Sequence, residues 1–242
     1  MSETNEGGTV FGISVGLAFI GGYADAASFL LAHTFTGHLT GNCILAAVSA
    51  AGEEWYLAVD RLLAVTVFLV GILFSLTLSR FIPVRLRRYS LAITMFIEVL
   101  LILGACLFLA SRANREPFIV CMCLALGIQN DALRKTKGIS VHSTYVTGMV
   151  TTLIQKSFHY CLSERNPKED SAKRSAGVAI QVLAPMWICF IVGALAGALM
   201  VASFHSIGLL GIVLLLIVLV CAEMKQINAQ PGSFGGKEKI VS

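Results

Sequence analysis

The residues whose types could do chemistry are polar groups set into apolar surroundings. Asp25 lies about ten residues or more inside a hydrophobic run, where an ionised carboxyl costs several kcal/mol unless paired, protonated or hydrated. Such a group either meets a ligand or a proton, or caps a broken helix by accepting backbone amides; the two roles can coincide. Thr40-Gly41-Asn42 and Thr147-Gly148 each combine hydroxyl or amide groups with a glycine that lets backbone approach a solute. At the start of a half-helix, unpaired N–H groups and the helix dipole carry partial positive charge, suited to a small anionic or zwitterionic solute. The plainer role is N-capping and close packing. Gln129, Asn130 and Asp131 form the most polar cluster beside an apolar span, with amides that both donate and accept; a polar helix end ahead of a basic loop explains them as well. Glu98, between Ile97 and Val99, is a candidate proton-coupling acid or the partner of a polar group on another helix.

Other polar residues have blander readings. His33, His38 and His142 lead towards the two Thr-Gly pairs and titrate near neutrality, but interfacial histidine accounts for them. Arg61 is expected to snorkel to the membrane surface. Cys121-Met-Cys123 has no histidine or carboxylate beside it, so no metal site is expected. Gly12-Ile-Ser14-Val-Gly16 spells G-x-S-x-G, yet these residues open an apolar helix where the hydrolase motif needs a strand–turn–helix elbow. The zinc-protease, Walker A and dinucleotide patterns are absent. Neither a catalytic residue nor a cofactor is expected.

The elements that must position these groups are membrane helices. Hydrophobic residues make up 56% of the 242, charged residues 13%, and mean hydropathy is +0.80, whereas a soluble domain carries about 25% charged residues. From Ser175 to Ala222, 48 residues pass without Asp, Glu, Lys or Arg, room for two spans of roughly 20 residues. The expected fold is all-α, a polytopic membrane helix bundle. Full spans are predicted at 10–31, 57–79, 91–111, 117–134, 176–202 and 206–223, with 39–51 and 143–160 as short re-entrant or broken helices. The membrane domain covers 1–223, and 224–242, with Pro231, Gly232, Gly235 and Gly236, reads as a flexible tail. No cleavable leader is expected, because the first nine residues lack Lys and Arg. Pro185 should kink its span, and Gly193-x-x-x-Gly197 is a packing face.

Charge and repetition organise the chain further. The net charge of +4 marks no nucleic-acid partner, since the cations cluster between hydrophobic segments and orient the bundle in a bilayer. Arg80, Arg85, Arg87 and Arg88 are placed inside, and Arg165, Lys168, Lys173 and Arg174 join them only if 143–160 re-enters without crossing. Gly22-Tyr-Ala-Asp25 resembles Gly127-Ile-Gln-Asn130, and Thr-Gly follows each glycine, 18 and 20 residues on. Two halves, about 10–111 and 117–223, then form a 3+3 inverted repeat, the plan of many secondary transporters.

Gly22-x-x-Asp25-Ala, Thr40-Gly41-Asn42, Gly127-x-Gln129-Asn130 and Thr144-x-x-Thr147-Gly148, taken in order, resemble the paired signatures of the YoaK family, also called DUF1275, over roughly residues 10–223. The resemblance implies a multi-pass protein of the bacterial inner membrane and leaves its activity open. Met149 stands where the first half has Asn42. The reading carried forward is a secondary transporter for a small polar or anionic solute. Asp25, Thr40, Gly41, Asn42, Gln129, Asn130, Thr147 and Gly148 line its site, and Asp25 or Glu98 couples a proton. A non-transporting scaffold or sensor is the alternative. Six spans are few for a transporter, which leaves room for a homodimer, although no sequence feature marks an interface.

Overall fold

The computed structural model describes residues 3–110, 115–132, 146–162 and 170–229. Eight α-helices lie among them: α1 (Glu3–Ala32), α2 (Leu39–Ala51), α3 (Trp55–Phe81), α4 (Ser90–Ala110), α5 (Arg115–Ala132), α6 (Val146–Leu162), α7 (Asp170–Phe204) and α8 (Leu210–Ala229). Short 3-10 turns, Val84–Tyr89 and His205–Leu209, lead into α4 and α8. No strand occurs among the described residues, so the all-α expectation holds. Among the described residues four stretches are long and apolar enough to cross a membrane, the last of them, Lys173–Ala229, taking in α8 and all of α7 but its first three residues. α5, at 18 residues, is about 27 Å long and carries Arg115, Glu116 and Asp131 near its ends. α8 continues past the expected boundary at 223 to Ala229, because Glu223, Met224, Lys225 and Gln226 are all good helix formers. The remainder of the expected tail lies outside the described residues.

Two crossings between long helices are closed to backbone contact. Where α1 meets α7, Gly22 faces the Phe190 carbonyl, Gly193 faces the Phe19 carbonyl and Gly197 the Tyr23 carbonyl; a Cβ on any of the three would collide with that carbonyl. Where α3 meets α5, Gly127 faces the Phe68 carbonyl, and a Cβ on Gly71 would lie 2.7 Å from the Leu124 carbonyl oxygen. Lipid offers helices little hydrophobic drive to associate, so close backbone approach and dense packing must hold such crossings. Ser75, one turn beyond Gly71, is buried and repeats in α3 the small-residue spacing of Gly193 and Gly197.

The contacts also fix helix directions. Phe19 with Gly193 and Tyr23 with Gly197 make α1 and α7 parallel. Gly16 against Leu219 and Tyr23 against Gly211 make α8 antiparallel to α1. The Tyr23 hydroxyl donates to the Gly208 carbonyl at 2.5 Å, tying α1 to the turn before α8. Arg61, in the second turn of α3, reaches the carbonyl of His33 just past α1, so α1 ends where α3 begins. Following the helices, Arg80, Arg85, Arg87, Arg88, Lys173, Arg174 and Lys225 gather at one end, and Glu53, Glu54, Arg115 and Glu116 at the other.

The two shorter helices fold back against the first half of the long helix that follows. α2, 13 residues or about 20 Å, lies antiparallel to α3, with Arg61 bonded to Leu45 and Ser49. α6 lies antiparallel to α7, with Tyr160 against Gly177 and under the Lys173 ammonium, 5.4 Å from the ring centre. Met149 near the start of α6 packs with Ala18, Leu183 and Met186.

Alanine tests the crossings. Gly127→Ala and Gly193→Ala are each expected to lower stability in detergent by about 1–3 kcal/mol through overpacking. Gly12→Ala, whose Cβ meets open space, should be neutral or stabilising by at most about 1 kcal/mol from helix propensity. Equal melting temperatures for all three variants would refute the close approach.

Candidate functional site

The most ordered polar structure in the bundle is the connection 33–38 between α1 and α2. Its backbone turns back along α1, so that its amides meet a carboxylate well before the helix end. Asp25 Oδ1 accepts from Thr36 N at 2.9 Å, Thr36 Oγ1 at 3.1 Å and Gly37 N at 2.6 Å. Asp25 stands seven residues before the end of α1 at Ala32, about 10 Å of helix, the depth to which the connection descends before α2 climbs back. Asn42 holds the same connection from the other side: its Oδ1 accepts from Phe35 N at 3.0 Å and its Nδ2 donates to Phe35 O at 2.7 Å. Phe35 stacks on Phe29 with ring centres 4.6 Å apart and lies 5.4 Å from the His38 ring. His33 makes the bend at positive φ, 54°.

Arg61 completes this clamp. Buried at 7% exposure, it donates from Nε to His33 O at 3.2 Å, from Nη1 to Leu45 O at 2.7 Å, and from the same nitrogen to Ser49 Oγ. The snorkelling expectation is corrected: α2 folds back over the start of α3 and brings carbonyls to the guanidinium, which no longer needs to reach the surface. A guanidinium offers five donors in a fixed fork, enough to satisfy three acceptors on two separate segments.

The other predicted residues divide. Thr40 is exposed on the outer face of α2, while Gly41 is half-buried against the rings of His38 and Phe35. Gln129 is buried; its Nε2 donates to Leu17 O at 2.8 Å, joining α5 to α1, and its Oε1 has no partner. Asn130 is half-buried one position further on. Gly148 is half-buried in the first turn of α6, and Thr147 lies on the same turn, its side chain outside the described residues, as are Thr144 and His142. Glu98 is buried at 1% exposure on α4, its Oε1 without a partner. Ser28, one turn beyond Asp25, is also buried with an unpartnered hydroxyl; sequence reading missed it because a serine in a membrane helix is unremarkable until its surroundings are known.

Asp25, Asn42 and Arg61 are thus brought together around one connection, and most of their bonds go to backbone. Asp25→Ala would strip the acceptor from Thr36 and Gly37 and is expected to cost about 3 kcal/mol or more, read as a lowered melting temperature in detergent. Asp25→Asn keeps an oxygen at the same place and should cost clearly less. A melting temperature unchanged in Asp25→Ala would show that the connection does not depend on this carboxyl.

Comparison with known proteins agrees with this architecture. Residues 13–222 match the family described as "Protein of unknown function (DUF1275)". The chain is 25% identical over 220 residues to the UPF0700 transmembrane protein YoaK of Bacillus subtilis (strain 168), an alignment covering 86% of this chain and 92% of that one. No solved structure matches it. A match across most of the chain, carried by apolar helices of spanning length, makes this a multi-pass membrane protein belonging to the DUF1275 family.

Proposed function

We propose that the protein is a secondary carrier of the bacterial inner membrane, moving a small polar or anionic solute between two inverted repeats. The repeat reading rests on matched packing. Gly22 and Gly127 take equivalent places, as do Phe19 and Leu124, Phe68 and Phe190, and Gly71 and Gly193, with one constant spacing along each pair of helices. α1 and α5 run antiparallel, since Gln129 meets Leu17 and Cys123 Sγ lies 4.0 Å from Phe35 O. Each short helix starts beside the middle of the next long helix, near its glycine crossing. Halves of opposite orientation with interrupted helices at the midplane suit alternating access. The collection of cations at one end of the bundle fits a cytoplasmic face there.

The observation that carries the reading is the set of buried polar atoms that the fold leaves unused. Among the described residues four such atoms have no partner: Ser28 Oγ on α1, Glu98 Oε1 on α4, Gln129 Oε1 on α5 and, near the end of α8, Gln226 Oε1; α5 packs against both α1 and α4. Native proteins pair almost every buried polar atom, and an unpaired one calls for a water, an ion or a function. A solute-binding role therefore suits Gln129, which meets α1 at Leu17, better than Asp25 and Asn42; Ser28, eleven residues further along α1 or about 16 Å, offers its hydroxyl at another level. Glu98 is the proton-coupling acid in this scheme: it is buried on α4 and its Oε1 has no partner among the described residues, so a solute or a rearrangement can supply one. No nucleotide-binding loop exists to drive the cycle, which leaves gradients as the energy source.

A second reading, a scaffold or sensor that transports nothing, is favoured by one observation: the bonds of Asp25, Asn42 and Arg61 go to holding the connection 33–38 and α2 in place. A thermal-shift screen of the purified protein against small metabolites from about pH 5 to 8, the range in which histidines and many solutes titrate, separates the two. The carrier reading expects a solute that raises the melting temperature of the wild type and of Glu98→Gln but not of Gln129→Leu. In proteoliposomes, Glu98→Gln should exchange that solute yet fail to accumulate it against a proton gradient. A protein whose melting temperature responds to no solute, and whose Gln129→Leu variant is simply more stable, is a scaffold.

A further inference from the structure

A second polar feature lies away from the core, at the end of the bundle rich in cations. A cleft of about 560 Å³ opens between the last turn of α3 and the start of α4, lined by Leu76, Ser79, Arg80, Arg87 and Ser90. We propose that Arg80 and Arg87 hold a phosphate group there, and that this phosphate is the headgroup of an anionic phospholipid. The inference is independent of whether the protein transports.

The two guanidiniums approach the cleft from separate elements, Arg80 from α3 and Arg87 from the 3-10 turn Val84–Tyr89. Among the described residues neither forms an ion pair with a carboxylate, and both line the one cleft. Arg88 differs: its guanidinium lies over the Tyr89 ring, 4.6 Å from the centre. Two planar forks converging on one space match the oxygens of a phosphate, which each can bind through paired N–H groups. Ser90, at the start of α4, lines the same cleft and adds a hydroxyl that can donate to a phosphate oxygen. The Ser79 hydroxyl donates to Leu76 O at 2.8 Å and leaves the phosphate to the arginines.

The surroundings choose between a lipid and a free phosphate. Phe81 and Val84, each 78% exposed, and Leu86 project from the rim beside these arginines. Large apolar side chains alternating with cations are the pattern of a segment lying at the headgroup–acyl boundary, and Leu76 continues the apolar surface into the cleft itself. Basic pockets between membrane helices at the cytoplasmic face are suited to anionic headgroups. A lipid would satisfy both surfaces together, phosphate on the arginines and chains along Leu76 and Phe81.

Native mass spectrometry of the full-length protein, released from micelles doped with dioleoylphosphatidylglycerol, dioleoylphosphatidylcholine or inorganic phosphate alone, tests this. The wild type should retain phosphatidylglycerol about tenfold better than phosphatidylcholine, and Arg80→Gln with Arg87→Gln should abolish the preference. Arg85→Gln with Arg88→Gln removes the same charge outside the cleft and should change retention by less than about twofold. If the first double variant is poorly produced, Arg87→Gln alone should lose about threefold. Inorganic phosphate that binds as well without acyl chains, and is lost in the same variant, supports the phosphate site and assigns it a soluble source. No preference in the wild type, or equal loss in both double variants, overturns the proposal.

Discussion

Close approach of backbone to backbone at two glycine-lined crossings is the constraint on which the rest of this structure depends. Inside a bilayer the hydrophobic effect does not distinguish a helix neighbour from a lipid chain, and what remains is packing and hydrogen bonding. Gly22 and Gly193 let α1 and α7 touch, and Gly71 and Gly127 do the same for α3 and α5. With the long helices fixed in this way, the short ones have no independent choice of place. α2 must return along α3 and α6 along α7, because each is joined to its long partner by a short connection and is too short to follow another path. The crossings therefore determine at what depth the two short helices begin.

That depth creates a second problem, which Asp25, Asn42 and Arg61 answer. A non-helical segment inside hydrocarbon is tolerated only where its amides and carbonyls find partners within the protein. The connection 33–38 supplies amides at Phe35, Thr36 and Gly37 and carbonyls at His33 and Phe35, and three side chains from three helices take them up. A carboxylate accepts from two amides and a hydroxyl, an amide side chain donates and accepts at one residue, and a guanidinium collects carbonyls. Each side chain has the chemistry that its share of the backbone requires. The buried Asp25 and Arg61 meet the connection and α2 through hydrogen bonds rather than through an ion pair with each other.

How much of this was legible in the residues follows from what a linear pattern can encode. Helix positions were, because runs of apolar residues and their lengths are local properties; α2 begins and ends where its composition says. Depth was legible for Asp25, which has no business in an apolar helix without a partner, yet not the identity of that partner, since Thr36 and Gly37 become neighbours only when the chain doubles back. Arg61 was misread for the same reason: the carbonyl of Leu45 is unreachable until α2 folds over α3. Thr40 and Asn42 are two positions apart and so lie on different faces of α2, and only packing decides which face is inward. The small-residue spacing in α3 went unseen because Ser75 replaces the second glycine, while the same spacing in α7 is spelled with two.

The division of polar groups into those consumed by the fold and those left over bears directly on function. The resemblance between the halves drew attention to Asp25 and Asn42, but these residues serve the first connection, and Met149 at the place equivalent to Asn42 is packed among Ala18, Leu183 and Met186. The halves share crossings and differ in polarity. Under the proposed carrier reading, a frame of two such halves closes from either side while its lining binds solute through groups from one side more than the other. Under that reading the unpaired atoms Ser28 Oγ, Glu98 Oε1 and Gln129 Oε1 matter, even though Gln129 Nε2 also ties α5 to α1: a polar atom without a partner in the resting bundle gains one when a solute arrives, and that gain is the differential interaction by which binding shifts a conformational equilibrium.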